Sequence, residues 1–145
     1  NIPPLGYILG DEGSGAVLGK LLLNGIFKGD LPTEIRNLYS EWSGLSYPEI
    51  IDKVYRQPLA NRFLAGNSRF IKDNLQHTEL EALVEYNFFK KNILKYKSSP
   101  IRTISAVGGI AAAFELQLRA SANRFDYQVG KVIASPIEGL IEYYS

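Results

Sequence analysis

Two adjacent acids stand among glycines near the start of the sequence, in Gly10-Asp11-Glu12-Gly13-Ser14. Acidic and hydroxyl side chains are favoured at a helix amino terminus, so these residues could serve only as caps for the helix that follows. A second interpretation gives them chemistry. Glycine lets a ligand approach the backbone closely, and a carboxylate accepts hydrogen bonds from hydroxyl groups, as a sugar site requires. The local sequence leaves both interpretations open.

The segment Gly10 to Lys20 has the glycine content of a phosphate-binding loop but the wrong spacing. In a P-loop the first glycine stands five residues before the glycine of the Gly-Lys pair, and here that position is Ser14. Leu21 occupies the place of the serine or threonine that would bind magnesium. The dinucleotide fingerprint fails as well, at the spacing of its last glycine. Neither motif is therefore assigned to this segment.

A second glycine pair, Gly108-Gly109, lies where a predicted strand passes into a predicted helix. At such a point an α/β sheet offers backbone N–H groups to a phosphate or a nucleotide. A tight turn that merely needs glycine is the equal alternative.

The other polar candidates are less specific. His77 is the only histidine and stands beside a helix start, so we interpret it as a surface residue. Three arginines could contact a triphosphate, or could belong to solvated helix faces: Arg56, Arg62 and Arg69.

Composition narrows the class of partner. Lys and Arg total 16 against 15 Asp and Glu, and these charges are scattered, so nothing favours nucleic acid or an anionic membrane as partner. Cysteine is absent, which excludes disulfides, thiolate metal sites and iron–sulfur clusters within this chain and fits a cytoplasmic location. No apolar run approaches the ~20 residues that cross a bilayer.

The elements that position these residues are mostly helices. Apolar spacing and capping signals, including Ser46 with Glu49 and Thr78 with Glu81, mark the helix starts. The predicted helices cover about 16–27, 32–42, 46–56, 59–64, 68–75 and 79–96.

The pattern changes after Pro100. A strand over 101–107, a helix over 110–123 and a strand over 127–134 predict a β–α–β unit with parallel pairing, and a short helix over 137–144 follows. For residues 1–9 we expect an irregular segment that leads into one more short strand.

This sheet is thin for so many helices. We therefore expect part of it to precede residue 1. Methionine is absent even at position 1, which also favours missing sequence on the amino-terminal side.

Four segments agree in order and spacing with one family: PLGYILGDEGSGA at 4–16, NRFLAG at 61–66, AVGGI at 106–110 and SPIEGL at 135–140. On these segments the chain resembles the N-acetylglucosamine kinase family, also grouped with the BadF/BadG/BcrA/BcrD ATPases of the actin/hexokinase/Hsp70 (ASKHA) fold. The resemblance covers nearly the whole chain and is closest to bacterial members.

The resemblance implies roles for individual residues. Asp11 would hydrogen-bond sugar hydroxyls as a substrate-binding group and not as the catalytic base, and Gly6 would lie against the sugar through its backbone. Gly108 and Gly109 match the adenosine motif, and Ala65 matches a position beside the nucleotide base. Gly109 stands where some relatives have serine, so a side-chain contact would be lost there.

The resemblance also implies a helix-rich α/β fold, the ribonuclease-H-like carboxyl-terminal lobe of an actin-like ATPase, over residues 1–145. The amino-terminal lobe and the first hairpin of this lobe would lie outside the chain. The family's phosphate loops, magnesium-linked aspartate and catalytic aspartate belong to those parts. This chain would then supply no catalytic residue and no metal ligand, and would be inactive alone.

The implied activity of the intact protein is transfer of a phosphoryl group from ATP, with Mg²⁺, to an amino sugar such as N-acetylglucosamine. Family members are often dimers, so the resemblance allows a homodimer, although no residue pattern marks an interface. Two alternatives stay open. One is an ATPase activator of the dehydratase type, which uses cysteines to hold an iron–sulfur cluster. The other is a non-catalytic sugar or nucleotide sensor of the same fold.

Overall fold

The computed structural model describes residue 3 and residues 5–144, without the side chains at positions 86–88, 90, 138 and 142. The chain divides into two compact units. Ser14–Leu83 forms the first, which we call the helical unit. Asn1–Gly13 together with Val84–Ser145 forms the second, which we call the mixed unit.

The elements follow one another in this order: α1 Gly6–Leu9, α2 Gly15–Lys28, α3 Thr33–Ser43, α4 Tyr47–Tyr55, α5 Ala60–Gly66, α6 Ser68–Asp73, α7 Thr78–Lys91, a 3₁₀ turn Ile93–Tyr96, β1 Thr103–Val107, α8 Gly109–Ala113, α9 Glu115–Arg124, β2 Gln128–Ile133 and α10 Pro136–Tyr144. Within the part of the chain that is described, no helix has both the length and the apolar character needed to cross a membrane.

Local signals set several helix ends in the helical unit. Gly29 and Gly44 end α2 and α3 in the left-handed conformation that glycine adopts without strain. The capping box that begins α4 is confirmed, because the Glu49 carboxylate accepts hydrogen bonds from the Ser46 amide (2.8 Å) and hydroxyl (2.5 Å). These hydrogen bonds hold the pKa of Glu49 below its usual range.

The second predicted capping box is wrong. Helix α7 begins at Thr78 itself, and the carbonyl of His77 accepts the first amide hydrogen bonds of the helix, from Leu80 and Glu81. The Thr78 hydroxyl donates to Glu79 at 3.4 Å instead of capping the third residue. The helix is also shorter than expected, because a 3₁₀ turn replaces its last residues.

The helical unit is held by close contact between α2 and α5. A Cβ atom at Gly19 would stand 1.9 Å from the carbonyl oxygen of Leu64, so only glycine lets the two backbones come this close. The apolar side chains that are almost completely buried in this unit include Leu18, Leu22, Ile26, Ile35, Ile50, Phe70, Ile71 and Leu80.

A buried polar pair sits at the break between α5 and α6. The Tyr39 hydroxyl donates to Oδ1 of Asn67 at 2.6 Å, and the Asn67 amide donates to the carbonyl groups of Phe63 (2.9 Å) and Leu64 (3.3 Å). Burial raises the pKa of Tyr39 to about 12, and a hydrogen bond with Ser43 partly opposes this rise. Every polar atom of the Asn67 side chain is therefore satisfied, as burial requires.

The mixed unit contains the predicted β–α–β arrangement. β1 and β2 pair in parallel, from Thr103 with Gln128 to Val107 with Ile133, with an irregularity in the register between these ends. The connecting helix is interrupted at Phe114, so the prediction of one continuous helix over 110–123 is wrong. A small core forms beside the sheet from Phe89, Ala122 and Tyr127, with partly buried side chains packed against it: Ile93, Ile104, Leu118 and Val129.

The predicted short strand before the acidic turn is also wrong. Residues 6–9 form the helical turn α1, and the Gly10 amide donates to the Gly6 carbonyl at 2.9 Å. A strand must hydrogen-bond to a neighbouring strand. In the described sheet β1 pairs with β2, and residues 6–9 instead make a hydrogen bond within their own turn. The chain is thus a helix-rich α/β fold with a two-stranded parallel sheet, and the ribonuclease-H-like assignment stays a prediction.

Candidate functional site

In the acidic turn, Ser14 caps a helix and Asp11 is exposed to solvent. Ser14 caps α2, because its hydroxyl accepts a hydrogen bond from the Val17 amide at 3.2 Å. Asp11 is exposed and has a left-handed backbone (φ 68°), which aspartate tolerates better than most residues. Among the described residues its carboxylate has no hydrogen-bond or ion-pair partner. The capping interpretation therefore holds for Ser14, and the Asp11 carboxylate is free to accept hydrogen bonds from a ligand.

Gly6 is the first residue of α1, and the acidic turn follows the end of this helix. Its φ of 70° is in the left-handed region, and a Cβ atom at this position would meet no heavy atom within 4 Å. Backbone conformation, and not crowding, therefore requires glycine here. The Gly6 carbonyl accepts the Gly10 amide, so α1 connects the two predicted sugar-binding residues within the mixed unit.

Gly108 ends β1 in a conformation that only glycine adopts readily (φ 131°, ψ 156°). Its amide donates to the Ile133 carbonyl at 2.8 Å, and its carbonyl accepts the Ala112 amide as α8 begins. The space around both glycines of the pair is open, since a Cβ atom at Gly108 or Gly109 would meet no heavy atom within 4 Å. The backbone of Gly109 is not left-handed, so this position could also carry a side chain such as serine, for which the open space leaves room.

The two strands end side by side. Because Val107 pairs with Ile133 in a parallel ladder, the turn at Gly108 and the turn after β2 lie at the same edge of the sheet. This is the carboxyl edge, where open α/β sheets bind ligands. The structure adds Ser135 to this edge, where its hydroxyl accepts the Ile137 amide at 3.4 Å. The signal in the sequence is a serine directly after the second predicted strand.

Ala65 lies in the helical unit, near the end of α5. It is half-buried, and its carbonyl accepts a hydrogen bond from the Ser68 hydroxyl at 2.7 Å. The remaining predicted site residues, Gly6, Asp11, Gly108 and Gly109, all belong to the mixed unit. The predicted sugar and adenosine elements therefore share one unit, and the predicted base-flanking residue belongs to the other.

The remaining candidates are surface groups. The Arg56 side chain is exposed and lies 4.0 Å from Asp52, and Arg62 and Arg69 are also exposed. His77 is half-buried, not fully on the surface as predicted. Over the described residues, no three His, Asp or Glu side chains come together in a group that could hold a metal ion.

Comparison with known proteins finds likeness among solved structures. No protein-family model and no curated protein matches the chain. Among solved structures, the crystal structure of the putative N-acetylglucosamine kinase from Porphyromonas gingivalis matches 99% of this chain, with 39% sequence identity and a TM-score of 0.88. The chain covers 52% of that protein, so it spans about half of its length. The fold of the chain is therefore kinase-like.

Proposed function

We propose that this chain is the carboxyl-terminal lobe of an ATP-dependent kinase that phosphorylates a hydroxyl group of an amino sugar such as N-acetylglucosamine. The observation that carries the proposal is the likeness, over almost the whole chain, to the P. gingivalis protein. The family resemblance in four separate segments agrees with it. In this proposal the protein belongs to the N-acetylglucosamine kinase-like, BadF-type ATPases, and it acts in the cytoplasm.

The sugar would bind at the acidic turn. The Asp11 carboxylate is exposed and has no partner in the described part of the chain, so it can accept two hydrogen bonds from neighbouring sugar hydroxyls. Gly6, with no side chain and open space around it, would let the ring approach the backbone. The role of Asp11 is to orient the sugar. Proton removal from the reacting hydroxyl belongs to a residue outside this chain.

The nucleotide would bind at the carboxyl edge of the sheet. Gly108 turns the chain there without a side chain, and Gly109 leaves open space beside it for the adenosine. Phosphoryl transfer depends on positioning and on neutralising charge, mainly through Mg²⁺. In this proposal the residues that hold Mg²⁺ lie in the part of the intact kinase that this chain does not cover.

The test uses the intact protein in an ATP-coupled assay across amino sugars and the corresponding neutral sugars. We expect ADP release that depends on an amino sugar and on Mg²⁺. A folded protein that binds sugar but releases no ADP would overturn the kinase proposal and identify a sensor. ADP release that is independent of sugar and requires an iron–sulfur cluster would identify an ATPase activator. Light scattering of the same sample tests the homodimer that the family resemblance allows.

A further inference from the structure

A groove in the helical unit has the charge of an anion site. It has a volume of about 250 Å³ and runs between α4 and α5. Its lining includes Lys53 and Arg62 and contains no carboxylate; the other lining residues are Gln57, Pro58, Leu59 and Phe63. Two cations without an acid among the lining residues favour an anionic occupant.

Two neighbouring acids balance part of the positive charge around the groove. The Asp52 carboxylate accepts a hydrogen bond from the Gln57 side-chain amide at 2.6 Å and lies 4.0 Å from Arg56. Glu49 lies one turn from Lys53 and attracts it, so part of the Lys53 charge is balanced. Within the described part of the chain, Arg62 has no ion pair and is exposed. Arg62 is therefore the cation most available to a ligand.

The walls of the groove are apolar and partly strained. Leu59 has a left-handed backbone (φ 64°, ψ 36°), which costs about 1–2 kcal/mol for a residue with a side chain. Its side chain is 67% exposed, so no packing within the unit compensates for this cost. Phe63 forms another part of the lining, with the Lys53 ammonium 5.8 Å from its ring centroid. Glycine would suit the backbone at position 59 better, whereas leucine gives the groove an apolar wall.

We propose that this groove binds a small organic phosphate, with the phosphate between Lys53 and Arg62 and the organic body against Leu59 and Phe63. A phosphate monoester carries about 1.5 to 2 negative charges at neutral pH, which matches two cations better than a carboxylate does. The volume is slightly below the roughly 300–1,000 Å³ of typical small-molecule sites, so the body is a single sugar or a nucleoside. This proposal is independent of the proposed kinase function.

The test is calorimetric titration of the full chain at low salt with AMP, a hexose 6-phosphate and inorganic phosphate. We expect both organic phosphates to bind more tightly than inorganic phosphate. The one whose affinity falls more in Arg62→Gln identifies the body, because AMP and the hexose phosphate could also bind at the proposed adenosine and sugar sites. Arg62→Gln should weaken their binding about tenfold, the loss of one hydrogen bond to a charged group. Arg69→Gln removes the same charge from an exposed position on α6 outside the groove and should change affinity less than about twofold.

Leu59→Gly tests the contact with the organic body separately from the binding of the phosphate. It should preserve or raise the unfolding temperature, because it relieves the left-handed strain, while weakening the organic phosphates several-fold and leaving inorganic phosphate unchanged. Equal losses in Arg62→Gln and Arg69→Gln would reduce the effect to general charge attraction and overturn the proposal. So would the absence of binding to the folded wild-type protein at millimolar concentration, or an unchanged affinity of organic phosphates for Leu59→Gly.

Discussion

The helical unit and the mixed unit bury their apolar side chains to very different extents. The helical unit encloses large side chains on α2, α3, α6 and α7 almost completely. In the mixed unit, helix α10 leaves its apolar residues exposed, with Ile137 at 64% and Ile141 at 63%, and α1 exposes Tyr7, Ile8 and Leu9. Apolar burial is the main stabilising term in folding. We therefore expect the helical unit to be the more stable of the two, while the mixed unit carries most of the predicted ligand-binding residues.

The contact at Gly19 gives the sharpest test of the helical unit. Gly19→Ala would place a Cβ atom against the backbone carbonyl of Leu64, so α2 and α5 must separate. We expect a loss of about 3 kcal/mol or more in the free energy of unfolding, measured by urea titration. Gly66→Ala is the matched control in the same unit, because a Cβ atom there meets nothing within 4 Å. Similar losses in both variants would contradict the close helix contact.

The corresponding test of the mixed unit compares two adjacent glycines. Gly108→Ala forces a side chain into a conformation that only glycine adopts readily, and we expect it to cost about 1–3 kcal/mol. Gly109→Ala has open space and an ordinary backbone, so it should stay within about 0.5 kcal/mol of the wild type. Hydrogen exchange of β1 and β2 amides reports the mixed unit by itself. Equal effects at both positions would mean that the strand end is not held as described.

The buried pair of Tyr39 and Asn67 makes the helical unit sensitive to alkaline pH. The pKa of Tyr39 rises from 10.0 to about 12 on folding, so above pH 10 the unfolded chain loses this proton while the folded chain keeps it. Stability from this group is complete below pH 10 and is lost as pH rises towards 12. Tyr39→Phe should weaken that dependence, and at neutral pH should cost about 1–2 kcal/mol, because Oδ1 of Asn67 loses its donor.

Thermal unfolding between pH 8 and 11 measures both effects of Tyr39→Phe. Tyr55→Phe is the control, since Tyr55 is 77% exposed. A pH dependence that is unchanged in Tyr39→Phe would show that another group causes it.

Asp11 should have the smallest effect on stability of the residues considered. Asp11→Asn keeps the shape of the side chain and tolerates the left-handed backbone, so the unfolding free energy should change by less than about 0.5 kcal/mol. In the intact protein the same variant should weaken sugar binding about tenfold or more, because hydrogen bonds to a charged acceptor are lost, while ATP binding changes little. Equal losses of sugar and ATP binding, measured by calorimetry, would count against the sugar role.

The sequence predicted helices well where a local signal marks an end. Gly29, Gly44 and the Ser46–Glu49 box act through their own backbone and nearest neighbours, so their effect can be read without the rest of the fold. The parallel pairing of the two strands was predictable because a helix lies between them in the sequence, and parallel strands require such a crossover connection. The Thr78–Glu81 box failed because the same residue types also fit inside the first turn of a helix.

The candidate site was predictable in part. Glycine pairs and an acid among glycines indicated where a ligand could approach, and the family resemblance assigned a role to each residue. That Ser14 caps a helix while Asp11 keeps a free carboxylate was not predictable, because both interpretations suit the same local sequence. Of the groove that we propose as an anion site, the sequence indicated only Arg62, and it left that residue between a phosphate contact and a solvated helix face.

By itself, the sequence determined the helix-rich α/β class, the positions of most helix ends and the parallel pairing of two strands, since these depend on residues close together in the chain. Tertiary structure decided the features that depend on distant neighbours. Gly19 is essential only because the backbone of α5 passes beside it, and Asn67 is buried only because Tyr39 satisfies it. Residues 6–9 form a helical turn and not a strand of the described sheet. Contacts between residues far apart in sequence leave no local pattern, so only the folded chain reveals them.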